Sequence, residues 1–255
     1  MIFESISAFL FRKKLKGATF FHEKILRGGG IKIKTRHGVK FKLDPRDHID
    51  RCVIAYGYYE SEVLEAILQN LPPQGTFWDV GANFGLHAVT VGKTKPQVKI
   101  CCFEPNPDMA QRIREHGEIN NLSIEVHPVA LDKNTGEAEF YLRSGNSGMG
   151  SLHNWDKAPC LKTIRVKTAR ADDLSVGKKM PPNVIKIDVE GNEQAVLLGM
   201  HEILQSNEIR AVIFEDSPED NNLKKYLRDM GFKISALSRK EPTHHNLENF
   251  VALKN

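Results

Sequence analysis

Apolar and polar positions alternate along this chain with two different periods, and the switches between them mark out its elements. Residues 31–43, IKIKTRHGVKFKL, alternate apolar with basic positions around His37-Gly38, which predicts a two-stranded hairpin with one apolar face. After Tyr59 the period lengthens. Val63, Leu64, Ile67, Leu68 and Leu71 recur on one helical face, with Ser61 as N-cap, until Pro72 and Pro73 stop the run. A strand at 76–80, a helix beginning near Gly85 and a strand ending at Glu104 follow. Asn106 and Pro107 suit the cap and first turn of the next helix.

A third strand is expected over residues 124–130, and what comes next breaks the alternation. EAEFYL (137–142) and KTIRVKT (162–168) both carry strand periodicity, which predicts a hairpin where a crossover helix would normally stand. The segment between them, RSGNSGMGSLHNWDKAPC, is glycine-rich and long enough to cover a site as a lid. Residues 184–188 read as the fourth strand, followed by a helix with Val196, Leu197, Met200, Ile203 and Leu204 on one face. IRAVIFED (209–216) is the fifth strand. Ser217-Pro218-Glu219-Asp220 has the form of a capping box that opens a helix ended by Gly231, and FKISAL and NFVALK complete the sheet. The expected architecture is α/β, a doubly wound and mostly parallel sheet (residues 74–255) preceded by a small helical and hairpin extension (residues 1–73).

Composition narrows the context. A chain of 255 residues suffices for one sizeable α/β domain, and its net charge of +4 is far from the basic footprint of a nucleic-acid binder, so no nucleic-acid partner is expected. The longest apolar stretches fall short of the roughly 20 residues a membrane span requires. Cys52, Cys101, Cys102 and Cys160 show no framework spacing, which suggests free thiols in a reducing cytoplasm. At the N-terminus, Ile2, Phe3, Ile6, Phe9 and Leu10 recur at helical spacing and are followed by Arg12, Lys13, Lys14 and Lys16. The order of charges is the reverse of a secretory signal. Residues 1–16 therefore read either as an amphipathic helix packed on the core or a partner, or as a weak contact with the inner membrane surface.

The chemistry starts at FWDVGANFG, residues 77–85. Its glycines, Gly81 and Gly85, flank Ala82, Asn83 and Phe84, so the second glycine of the dinucleotide fingerprint G-x-G-x-x-G is missing. Asp79 ends the strand with a carboxylate, which repels phosphate and attracts an ammonium group. S-adenosylmethionine has an amino-acid end and no phosphate. Glu104 ends the next apolar run at the spacing of a ribose-binding carboxylate. The two motifs together resemble a class I S-adenosylmethionine-dependent methyltransferase. IKIDVEGNEQAVLLGM (185–200) makes the chain similar to the FkbM-type methyltransferases, with GYYE (57–60), EPNP (104–107), HPVALDKNTGEAEF (127–140) and GMGSL (148–152) where that family's pattern places them.

The resemblance covers about residues 40–255 and implies a Rossmann-like seven-stranded sheet that holds S-adenosylmethionine and releases S-adenosylhomocysteine. Candidate cofactor contacts are Glu60, Asp79, Gly81, Ala82, Asn83, Gly85, Glu104, Pro105, Asn106 and Ala130, with Phe103 and Pro105 beside the adenine. An alcohol is a poor nucleophile while protonated, so a base is expected beside the acceptor. Asp188 at the end of the fourth strand is the first choice, with Glu190 and His87 as further candidates. Lys186 shares a strand face with Asp188, so an ion pair is the alternative for that residue. His87 equally suits simple packing.

Tyr59, His153, Trp155 and Glu215 are the candidate acceptor contacts. Asp188, Glu190 and Glu215 are an oxygen-rich set of the kind Mg²⁺ prefers, but no spacing here is diagnostic of a metal. Amino-methyltransferases acting on bases carry an N/D-P-P-Y/F segment where this chain has DVEG. The expected reaction is O-methylation of a hydroxyl, on a sugar of a surface glycan or glycolipid, with a polyketide hydroxyl or a non-catalytic cofactor-binding role as alternatives. Oligomeric state has no signature in the sequence.

Overall fold

The computed structural model describes residues 31–143, 148, 150–154, 160–238 and 247–254, leaving out the side chains of residues 160 and 161. The segment 1–16 and Trp155 lie outside the described residues. The expected hairpin forms from β1 (Ile31–Lys34) and β2 (Lys40–Leu43), paired antiparallel with Ile33 opposite Phe41. Helices α1 (His48–Tyr56) and α2 (Ser61–Asn70) lead into the main sheet. That sheet has seven strands in the order β11-β12-β10-β9-β3-β4-β5. They are β3 (Thr76–Val80), β4 (Lys99–Phe103), β5 (Glu125–His127), β9 (Val184–Ile187), β10 (Ala211–Asp216), β11 (Phe232–Ala236) and β12 (Glu248–Lys254). β12 runs antiparallel to both of its neighbours, while β5, β4, β3, β9 and β10 pair in parallel.

Strand alternation splits the core into two layers. On one face Phe77, Cys102, Val184 and Ile213 pack with α2 and α3 (Leu86–Thr94), in the same cluster as Phe41 and Leu43 of the hairpin, so residues 31–73 share a core with the sheet. On the other face Trp78, Val80, Cys101, Ile185 and Ile187 pack with α5 (Ser175–Lys179), α6 (Glu193–Gly199), α7 (His201–Gln205) and α8 (Asn222–Asp229). The adjacent cysteines thus enter opposite layers. Helix α4 (Pro107–Ile119) opens as expected, with the Asn106 side chain accepting from the Asp108 amide and proline in its first turn.

Three expectations need correction. The third strand stops at His127, because Pro128 has no N–H to continue a ladder. Ala130 and Leu131 form β6 and join β7 (Gly136–Arg143) and β8 (Cys160–Ala169) in a separate three-stranded sheet, which is the expected hairpin insertion. Ser61 is not the cap of α2. Glu60 occupies that position in a left-handed conformation, φ 54°, with no side-chain cap bond. Ser217–Asp220 does not open a helix either, since α8 starts at Asn222. The Lys224 ammonium gathers the Asp216 carboxylate at 2.9 Å and the Ser217 and Asp220 carbonyls at 2.6 Å, folding that segment into a loop around the charge.

Candidate active site

The carboxyl ends of β3, β4 and β9 meet over a cleft open to solvent. The residue that sets their spacing is Gly81. Its φ is +74°, and a Cβ there would stand 1.8 Å from the Asp188 carbonyl oxygen, so any side chain would push the β3 and β9 loops apart. The Gly81 amide in turn donates to the Phe103 carbonyl at 3.0 Å, which ties the same loop to β4.

The cleft wall includes Gly81, Asn83, Glu104, Pro105, Asn106, Ala130 and Asp188 from the sequence-derived set, together with Phe103. Glu104 lies between two backbone donors. Its Oε2 accepts from the Asn83 amide at 2.8 Å and its Oε1 from the Asn106 amide at 2.9 Å. Each oxygen accepts from one amide and keeps capacity for a further donor, the capacity that two ribose hydroxyls need. Burial pushes the Glu104 carboxyl up to about 7, against the pull of those two amides. Two polar groups of the wall have no partner in the described structure: the buried Oδ1 of Asn83 and the buried Nδ2 of Asn192. An acceptor, a donor and a two-pronged carboxylate around an apolar wall of Phe103, Val129, Leu131 and Phe140 fit the nucleoside and amino-acid parts of S-adenosylmethionine.

Asn192 was not foreseen. Only its place inside DVEGNE, next to the glycine, could have pointed to it. The turn that presents it is tied at several points: Glu193 Oε1 accepts from the Val189 and Gly191 amides at 3.1 and 3.2 Å, and Ser151 Oγ donates to the Glu190 carbonyl at 2.8 Å. Glu190 itself has φ 55°, and Asn83 has φ 51°. Left-handed non-glycine residues therefore stand on both sides of the cleft, as strained backbone often does at working sites.

Other sequence-derived residues stand behind the wall rather than on it. Asp79 is wholly buried, and its Oδ2 accepts from the Ala88 amide at 3.2 Å in the first turn of α3. In the parallel register Asp79 pairs with Lys186, so both side chains reach the same face, and the ammonium lies 3.6 Å from Asp79 and 3.2 Å from Asp188. The ion pair considered from the sequence thus forms, and Asp188 lines the cleft as well. Burial works against the Lys186 charge, but the surrounding carboxylates, Asp188 foremost, hold its ammonium above the ordinary lysine range.

His87 is buried against the Tyr58 ring at 5.8 Å, and burial followed by the Lys186 charge lowers it to about 3, which leaves it neutral. Burial and then Asp188 push Glu60 up to about 8 and Glu190 up to about 9, with Glu215 adding to both. Burial also raises the Tyr59 hydroxyl, with Glu60 next. Ala82, Gly85, Tyr59, Glu60, His87, Glu190 and Glu215 are not among the residues of the cleft wall. His153 is exposed on the insertion, where its amide donates to Ser151 Oγ at 2.9 Å. Among the described residues, no three His, Cys, Asp or Glu side chains converge to hold a metal ion.

A seven-stranded sheet with a single antiparallel strand, carrying a cleft for a nucleoside at the carboxyl ends of β3 and β4, defines a class I methyltransferase. The Methyltransferase FkbM domain pattern matches residues 79–234, more than half of the chain, and the protein belongs to that family of S-adenosylmethionine-dependent methyltransferases.

Among its relatives, the hexuronic acid methyltransferase AglP of Haloferax volcanii is 29% identical over 185 residues, covering 71% of this chain and 74% of AglP. The 2-O-methyltransferase NoeI of Sinorhizobium fredii is 27% identical over 150 residues, 52% of this chain and 60% of NoeI. Among solved structures, the METTL16 methyltransferase domain superposes with a TM-score of 0.51 at 14% identity, covering 86% of this chain and 74% of that one, a likeness of fold alone.

Proposed function

We propose that the protein transfers the methyl group of S-adenosylmethionine to a hydroxyl of a sugar in a glycan or glycolipid, with Asp188 as the group that takes the hydroxyl proton. The observation that carries this reading is the position of Asp188, on the cleft wall and held by the Lys186 ammonium at 3.2 Å while its side chain stays one-third exposed. Methyl transfer from a sulfonium is an in-line displacement, so the acceptor oxygen must sit opposite the departing sulfur at near-attack distance. As the C–O bond forms and the S–CH₃ bond breaks, the oxygen sheds its proton to the carboxylate and the sulfur leaves as a neutral thioether. Glu190 and Glu60, pushed up to about 9 and 8, hold their own protons near neutrality and do not line the cleft, so Asp188 is the carboxyl of this group placed to take the proton.

The sugar reading is supported by the names of the two relatives, one acting on a hexuronic acid and the other on a 2-O position. The test combines a labelled methyl donor with free uronic acids, neutral sugars, lipid-linked glycans and polyketide alcohols, for the wild type and Asp188→Asn. Label in a sugar ether, lost in Asp188→Asn while S-adenosylhomocysteine affinity is retained, is the expected result. Label confined to the polyketide alcohols would overturn the acceptor class, and undiminished turnover in Asp188→Asn would overturn the base.

A further inference from the structure

The hairpin in front of the methyltransferase sheet carries a charge pattern that the reaction does not use. In its register Lys32 stands opposite Lys42, and Lys34 opposite Lys40, so four lysines occupy one face of a two-stranded ribbon as two like-charged cross-strand pairs. All four are exposed, and exposed Arg36 follows at the turn. The other face is apolar, with Ile31, Phe41 and Leu43 buried in the core cluster and Ile33 packed against it. Among the described residues none of the four ammonium groups has an ion-pair partner. Like charges directly opposite each other on a ribbon are unfavourable, and an anionic surface that meets the array relieves that repulsion.

The ribbon is also held rigidly. Asn120 exchanges two hydrogen bonds of 2.8 Å with the backbone of Lys40, the Lys42 amide donates to His116 Nε2 at 3.2 Å, and Arg112 donates to the Lys42 carbonyl at 3.3 Å. These bonds anchor β2 to α4, so the lysines project from a fixed backbone rather than from a tail.

We propose that this lysine face docks the protein on an anionic lipid surface. Four exposed ammonium groups on one ribbon face complement anionic headgroups in charge, and these outward positions offer no aromatic ring for the base stacking on which single-stranded nucleic acid binding depends. The sequence adds the complementary half: Ile2, Phe3, Ile6, Phe9 and Leu10 at helical spacing, followed by Arg12, Lys13, Lys14 and Lys16. A single short amphipathic segment binds lipid marginally, and stable attachment takes a second signal such as a basic patch. The lysine face supplies that second signal. A lipid-linked acceptor would then be met at the surface where it resides.

The test is sedimentation of the full chain with equimolar phosphatidylglycerol–phosphatidylcholine vesicles and with phosphatidylcholine vesicles alone. It is repeated for the variant carrying Lys32→Gln, Lys34→Gln, Lys40→Gln and Lys42→Gln and for one carrying Arg12→Gln, Lys13→Gln, Lys14→Gln and Lys16→Gln. S-adenosylhomocysteine titration confirms that each variant is folded. The expected result is binding to the anionic vesicles alone, weakened by salt, and reduced by about fivefold per lysine removed from the ribbon, roughly 600-fold for all four.

Equal vesicle binding by wild type and ribbon variant, with loss only in the N-terminal variant, would overturn the assignment. So would preference of the wild type for a single-stranded oligonucleotide over the vesicles. Absence of vesicle binding together with aggregation of the ribbon variant would mean that the lysines only keep the open edge of β1 from pairing with other chains.

Discussion

The carboxylates around the cleft fall into two groups that the protein treats in opposite ways. On the β4 side Glu104 is received by two backbone amides and raised only to about 7. On the β9 and β10 side Glu60 and Glu190 are half-buried near Asp188 and Glu215 and reach about 8 and 9. Backbone donors fix the first group in one geometry, ready for the hydroxyls of a nucleoside. In the second, carboxyl groups crowd together and Lys186 pairs with Asp188 among them. The lesson is a division of labour: recognition is placed where the backbone supplies hydrogen bonds, and proton handling where carboxylates raise one another.

Removing the cation breaks this comparison most severely. Lys186→Met leaves Asp79 and Asp188 without their shared counter-ion and should lower stability by about 3–5 kcal/mol, read by urea denaturation. The further change Asp79→Asn should return part of it, because one buried charge is then gone. If Lys186→Met alone costs less than 1 kcal/mol, about the worth of a surface pair, the ion-pair frame is wrong.

Glu104→Gln tests the recognition side. It should weaken S-adenosylhomocysteine binding by roughly 10- to 100-fold, as expected for a charge-assisted hydrogen bond. The wild type should also show a pH dependence with a fixed sign. A carboxyl raised to about 7 is protonated in the empty site at pH 6, and ribose hydroxyls donate better to the ionised form, so affinity should tighten by about tenfold between pH 6 and 8. Stability of the empty protein moves the other way. Acids whose folded values are raised, as in Glu104, Glu60 and Glu190, contribute most at low pH and lose that contribution as pH rises through about 7, 8 and 9. Calorimetry of Glu104→Gln should show a flat affinity profile over the same range.

The smallest effect sharpens the link between the insertion and the proton-handling side. Ser151→Ala removes the donor that holds the Glu190 carbonyl, and turnover should fall by about 2- to 10-fold. Its affinity for S-adenosylhomocysteine should change less than twofold. A larger loss of binding than of turnover would place the insertion on the recognition side instead.

Much of this arrangement was legible in the sequence because it rests on local rules. Asn106 and Pro107 mark a helix start that depends on a few adjacent residues, and the strand ends at Asp79, Glu104 and Asp188 follow from short apolar runs with polar ends. The caps at Ser61 and Ser217 failed for the opposite reason. Local chemistry favoured them, but Glu60 takes the cap position of α2 and Lys224 draws residues 217–220 into a loop. Asn192 and Ser151 lie inside the DVEGNE and GMGSL motifs, but nothing local pointed to their roles, which come from what the fold sets against them.

The sequence by itself determined the order of elements, the family and the identity of the acidic residues, because periodicity, turn chemistry and short motifs act over a few neighbours. Only the tertiary structure decided which of those acids line the cleft, that one lysine holds both Asp79 and Asp188, and that four lysines of the hairpin face one another. These depend on strand register, where a shift of one residue would turn every side chain to the other face, and register is fixed by the packed core rather than by any single segment.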